Sequence, residues 1–145
     1  MSVDDLRAEI ANLLADRAFL LAGAIAPELA GALGAAAAAG SERVVADLLG
    51  DDERAAAAAG ILLVTLAWGE GDPPDEWWHT PAGRAVARTV TADPGESVRA
   101  ATAARMLGVS SQRVGDLLAK GKLELAPDQK VSLQSVFDRL GRATG

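Results

Sequence analysis

Apolar residues recur at helical spacing through most of the chain, and the turn-forming residues between those runs divide it into short helices. From Val3 to about Gly23, Leu6, Ile10, Leu13 and Leu21 fall near one stripe, interrupted by Arg17 and widened by Leu14 and Leu20. A second helix is expected from Pro27, at a first-turn position, through Leu29 and Leu33 into the alanines of 35–39. Gly40 is placed to end it. Ser41 then caps a third helix, about 42–49, which buries Val44, Val45, Leu48 and Leu49 and stops at Gly50. Asp51 is the cap candidate for a fourth, with Asp52 and Glu53 in a first turn whose dipole favours acidic side chains. The later part of that helix, Ile61 to Leu66, is apolar on every side, which suits the centre of a bundle or a subunit interface. A buried strand competes for this β-branched run, but the preceding alanines favour helix.

Residues 69–76 read as a loop by composition, and Thr80-Pro81 supplies a cap and a first-turn proline for a helix reaching about Thr91. Asp93-Pro94-Gly95 reads as a boundary, which assigns 1–92 to an acidic, alanine-rich helical bundle and 96–145 to a second module. That module begins with a short helix, Val98 to Leu107, whose packing surface is Ala100, Ala101, Ala103, Ala104 and Leu107. Gly108 stands where a helix-ending turn wants positive φ, Val109 is placed to plug the gap, and Ser110 caps the next helix. Along 111–119, Val114, Leu117 and Leu118 turn inward, leaving Ser111, Gln112, Arg113 and Asp116 to solvent or a groove. Gly121 ends this helix. Leu123-Glu124-Leu125 and Lys130-Val131-Ser132 alternate around Ala126-Pro127-Asp128-Gln129 as a hairpin does. Leu133 to Leu140 closes the module, with Val136, Phe137 and Leu140 inward.

The order helix, tight turn, helix, hairpin, helix resembles the winged helix-turn-helix of the excisionase and MerR-like superfamily. The residues that carry the likeness are Ala103-Ala104-Arg105-Met106-Leu107-Gly108-Val109-Ser110, Val114, Leu117-Leu118, Gly121-Lys122-Leu123 and Val131-Ser132-Leu133-Gln134-Ser135-Val136, about a third of the chain. The resemblance implies that the helix at 111–119 enters the major groove and that the hairpin is a wing approaching the DNA backbone or minor groove. It places Ser110, Ser111, Gln112 and Arg113 at the DNA entry of the recognition helix. Three positions depart from the family pattern. Arg99 stands where a Ser or Thr cap is usual, which makes Ser97 the alternative cap. Gly115 replaces a large residue, and the wing tip Pro127-Asp128-Gln129 lacks the family's arginines. The expected fold is thus mainly α, an alanine-rich bundle followed by a small winged helix-turn-helix.

Charge sharpens the division. The 145 residues carry a net charge of -6, yet 1–95 hold 6 basic and 15 acidic side chains while 96–145 hold 8 basic and 5 acidic. Only the second part is fit to approach phosphate. Arg113 has the donors for guanine and Gln112 the pair for adenine, with Ser111 beside them as a third base-contact candidate. Ser110, Arg105, Lys120, Lys122 and Lys130 suit phosphate, and Asp116 is placed to pair with Lys120.

Candidate chemistry is sparse. With no cysteine, and His79 as the only histidine, thiolate and multi-histidine sites are excluded. Neither a nucleophile–base arrangement nor a phosphate-cradling glycine loop is present, so no enzyme, cofactor or metal is expected. His79 reads as a surface or cap-region residue, and Glu70, Asp72, Asp75 and Glu76 as a solvated acidic loop whose spacing is not that of a calcium site. Neither a signal-peptide pattern nor a run long enough for a membrane span occurs, so a cytoplasmic protein is expected.

The expected function is sequence-specific binding of duplex DNA by a bacterial-type transcriptional regulator. One such module makes few contacts, so a homodimer is expected, joined through the acidic half at Leu62, Leu66 and Trp68. Of Trp77 and Trp78, one is expected over the alanine-rich core and one as an interface anchor. The alternative is an antitoxin-like or adaptor module whose acidic half engages a protein partner.

Overall fold

The computed structural model describes residues 2–25, 28, 30–69 and 71–142. The expected helix start at Pro27, with Leu29, lies outside them, as do Glu70 and the side chains of Leu21 and Leu33. The chain divides into two compact units, Met1–Asp72 and Pro73–Gly145. The division therefore falls well before the Asp93-Pro94-Gly95 turn, because residues 75–91 pack on the C-terminal helices.

Among the described residues, the first unit contains the α-helices α1 (Val3–Ile25), α2 (Ala30–Leu49) and α3 (Glu53–Trp68). Leu6 and Ile10 of α1, Val44, Val45 and Leu48 of α2, and Leu63 of α3 are buried. Each such side chain contributes about 1.5–3 kcal/mol by leaving water. Two boundaries differ from expectation. Gly40 does not end a helix: α2 runs through it, and Ser41, 2 % exposed, donates its hydroxyl to Ala38 O at 2.7 Å inside the helix. Asp52 rather than Asp51 caps α3, accepting from the amides of Arg54 and Ala55 at 3.0 and 3.1 Å. The apolar run 61–66 is helix, but one face of it is open. Leu63 is buried, whereas Ile61 is 69 % exposed, Leu62 47 % and Trp68 39 %. On α1, Leu20 is also exposed rather than packed.

The second unit opens with a 3-10 helix, Asp75–His79, followed by α4 (Pro81–Ala87), β1 (Ser97–Val98), α5 (Ala100–Leu107), α6 (Ser111–Ala119), β2 (Val131–Ser132) and α7 (Leu133–Arg142). Thr80 caps α4, accepting from Gly83 N at 3.2 Å, with Pro81 in the first turn as the sequence implies. The helix stops at Ala87, short of Thr91. Residues Ser97–Val98, expected as helix or its cap, form β1 instead and pair antiparallel with β2 in the register Ser97↔Ser132 and Val98↔Val131. Arg99 stands before α5 without a side-chain cap.

The expected hairpin is present. Leu125 bridges Val131, Ala126 N donates to Lys130 O at 2.7 Å, and Ser132 N to Glu124 O at 2.8 Å. Gln129 takes φ +66 at its tip. The core gathers Ala103, Met106 and Leu107 of α5, Val114 and Leu117 of α6, and Val136, Phe137 and Leu140 of α7. Ala100 and Ala101, expected in this core, are exposed, and Val109 is 36 % exposed instead of filling the gap between helices. The described residues form a mainly α-helical fold with one small antiparallel sheet. Among the described residues, no helix is long and apolar enough to cross a membrane.

Candidate nucleic-acid interface

The turn between α5 and α6 depends on one backbone conformation. Gly108 has φ +68 and ψ 34, left-handed geometry that costs little without a Cβ, and its amide closes α5 on Ala104 O and Arg105 O. Ser110 then caps α6, its Oγ accepting from Arg113 N at 3.1 Å. Val114 and Leu117, 0 % and 1 % exposed, anchor the inner face of α6 in the core. That anchoring fixes what faces outward. Ser111, Gln112, Arg113, Gly115, Asp116 and Ala119 are all exposed.

The segment 75–79 braces the turn from behind. The His79 ring lies 3.0 Å from where a Gly108 Cβ would stand, and its Nδ1 is 3.1 Å from Arg105 O. Gly83 lets the same segment sit directly on α4, since a Cβ there would run into Trp77 O and approach Trp78 Cα to 2.7 Å. Trp78 packs on Phe137 with ring centroids 4.9 Å apart, and Trp77 meets Trp78 edge-on at 5.3 Å. His79, in the cap region of α4 as expected, also buttresses the turn. Trp77 and Trp78 belong to the second unit, and Trp78 packs against its core. Leu62, Leu66 and Trp68 belong to the first.

The basic candidates separate by partner. Arg105 is held by Asp75, with contacts of 2.9 Å from Nε and 2.8 Å from a terminal nitrogen, and lies 4.0 Å from Glu76. Lys130 lies 3.7 Å from Asp128. Lys120 and Lys122 are exposed on the turn after α6, and no described carboxylate comes within ion-pair distance of either. Asp116 and Lys120 therefore do not form the expected pair; they share a backbone bond, Lys120 N to Asp116 O at 3.0 Å. Asp128, at the hairpin tip, accepts from Ser97 Oγ at 2.6 Å and from Lys130 N at 3.1 Å. The hydroxyl of Ser97, then the Lys130 amide, hold its carboxyl below the usual range.

Arg113 is placed differently from its neighbours on α6. It borders a cleft of about 280 Å³ together with Arg84 of α4 and Arg139 of α7. Leu107, Val109, Leu117 and Leu140 line the rest of the cleft. Arg84 and Arg139 were not distinguishable in the sequence, because no local spacing connects residues on three separate helices. Comparison with family models, with curated protein sequences and with solved structures finds no match to this chain.

Proposed function

We propose that the second unit is a winged helix-turn-helix that binds duplex DNA in a sequence-dependent way, as a regulator of transcription. The observation that carries this reading is the outward face of α6. A capped helix, fixed by Val114 and Leu117, presents Ser111, Gln112 and Arg113 at its exposed N-terminal turn. Gln112 reads adenine and Arg113 guanine in the major groove, with Ser111 beside them. Lys120 and Lys122 follow immediately and neutralise phosphate, while the hairpin 124–132 serves as the wing. The unit holds 10 basic and 8 acidic side chains against 4 and 12 in residues 1–72, so the electrostatic approach is through the second unit. A homodimer joined through the first unit doubles these contacts.

The test is fluorescence anisotropy of the full chain with labelled duplex from its own upstream region and with a scrambled duplex, titrated with salt. With Lys120 and Lys122 on phosphate, log K falls with log salt at a slope of about -1.8 per unit. Gln112→Ala weakens the native duplex about five- to a hundredfold and leaves the scrambled duplex unchanged. No binding at low salt by a folded protein refutes the reading.

A second reading draws on the first unit. Ile61, Leu62, Thr65 and Trp68 form an exposed, largely apolar stripe on α3, which suits capture of a protein partner by an adaptor. Retention of cellular function by Arg113→Ala and Lys122→Ala variants favours that reading over DNA contact.

A further inference from the structure

Arginines from three helices, Arg84 of α4, Arg113 of α6 and Arg139 of α7, border one cleft beside the α5–α6 turn. Among the described residues, Leu107, Val109, Leu117 and Leu140 complete its lining and no acidic residue contributes. Among the described residues, no carboxylate comes within 4.0 Å of any of the three arginines. Arg84 is oriented by its Nε, which donates to His79 O at 2.8 Å and leaves its terminal nitrogens for another acceptor. Three like charges gathered without a counter-charge repel one another, and the concave wall concentrates their field. Arginine offers paired donors that match carboxylate or phosphate oxygens. The apolar wall adds a second requirement, one that a bare anion does not meet.

We propose that this cleft binds a small organic anion, a carboxylate or phosphate monoester carried on an apolar body about the size of a phenyl ring. Its head accepts from Arg113 and Arg139, with Arg84 completing the positive wall, while its body covers Val109 and the leucines. The volume is near the lower end for small-molecule pockets, roughly 300–1,000 Å³, which limits the ligand to a compact one. Arg113 also stands at the DNA-facing turn of α6, so an occupied cleft withdraws that arginine from DNA. This coupling rests on the DNA-binding reading; the cleft's ligand does not.

Isothermal titration calorimetry of the full chain with phenyl phosphate, inorganic phosphate and benzyl alcohol separates the contributions of head and body. Phenyl phosphate binds saturably one to one with Kd below about 1 mM, inorganic phosphate binds at least about tenfold more weakly, and benzyl alcohol does not bind. Arg139→Ala weakens phenyl phosphate about tenfold or more with circular dichroism unchanged, and Arg139→Lys restores part of the loss. The proposal is overturned by no saturable binding up to about 10 mM. It is overturned equally by inorganic phosphate binding as tightly as phenyl phosphate, which would mark a subsite for the DNA backbone, or by an indifferent Arg139→Ala. Displacement of labelled duplex by phenyl phosphate supports the coupling, and binding without displacement refutes it. The calorimetric titration contains no DNA, so ligand binding to the cleft is measured whether or not the protein binds duplex.

Discussion

Two glycines, both inside helices of the second unit, should respond to the same substitution in opposite directions. Replacing glycine by alanine within a helix gains about 1 kcal/mol from propensity alone. At Gly115 nothing lies within 4 Å of the added Cβ and the site is exposed, so Gly115→Ala should stabilise by about that amount. At Gly83 the added Cβ meets Trp77 O and comes within 2.7 and 2.8 Å of Trp78 Cα and C. These are backbone atoms, and no rotamer change relieves the clash. The 3-10 helix must move, which costs about 1–3 kcal/mol for overpacking and about 0.5–1.5 kcal/mol for the disturbed Trp78–Phe137 pair. Offset by the propensity gain, Gly83→Ala should destabilise by about 1–3 kcal/mol. Urea denaturation followed by tryptophan fluorescence, in a Trp68→Phe background, reports Trp77 and Trp78 of the second unit alone. The midpoints should separate in opposite directions from the parent, at unchanged slope. A Gly83→Ala protein as stable as its parent, or a shift of both variants together, would show that residues 75–79 do not seat on α4 as described.

Two further outcomes follow from charged groups. Asp75→Ala should change thermal stability little, because the Arg105–Asp75 pair is partly exposed and such pairs contribute about 0–1 kcal/mol. It should strengthen duplex binding at low salt by releasing Arg105, and unchanged affinity would remove Arg105 from the phosphate set. Asp128 has a lowered folded pKa, so the stabilising effect of its ionised form is present above the ordinary carboxylate value and is lost as pH falls through the folded value. Carboxyl NMR titration should find Asp128 below the usual range and Ser97→Ala should move it upward; an unmoved midpoint would exclude the Ser97 hydroxyl as the cause.

Local chemistry was legible wherever a residue acts on its own neighbours. Gly108 in the left-handed conformation, the Ser110 cap, Thr80-Pro81 and the Val114–Leu117 face of α6 were all readable, because each is set by steric or hydrogen-bonding demands within one turn. The same logic misled at Gly40 and Ser41. Their local preference is to interrupt a helix, but burial of Val44, Val45 and Leu48 at continuous helical spacing outweighs a cost of about 1 kcal/mol, and Ser41 satisfies its hydroxyl within the helix. At Ser97–Val98 a pairing with residues more than thirty positions away took the segment out of the helix.

Composition and pattern alone determined a mainly helical chain with an acidic first part and a second part whose α5–α6 turn, helix caps and buried α6 face follow from local sequence. Only the tertiary structure decided that residues 75–79 brace the α5–α6 turn, that Asp75 occupies Arg105, and that Arg84, Arg113 and Arg139 share one cleft. These depend on contacts between residues on different helices, and periodicity records which face of a helix is buried, not what it is buried against.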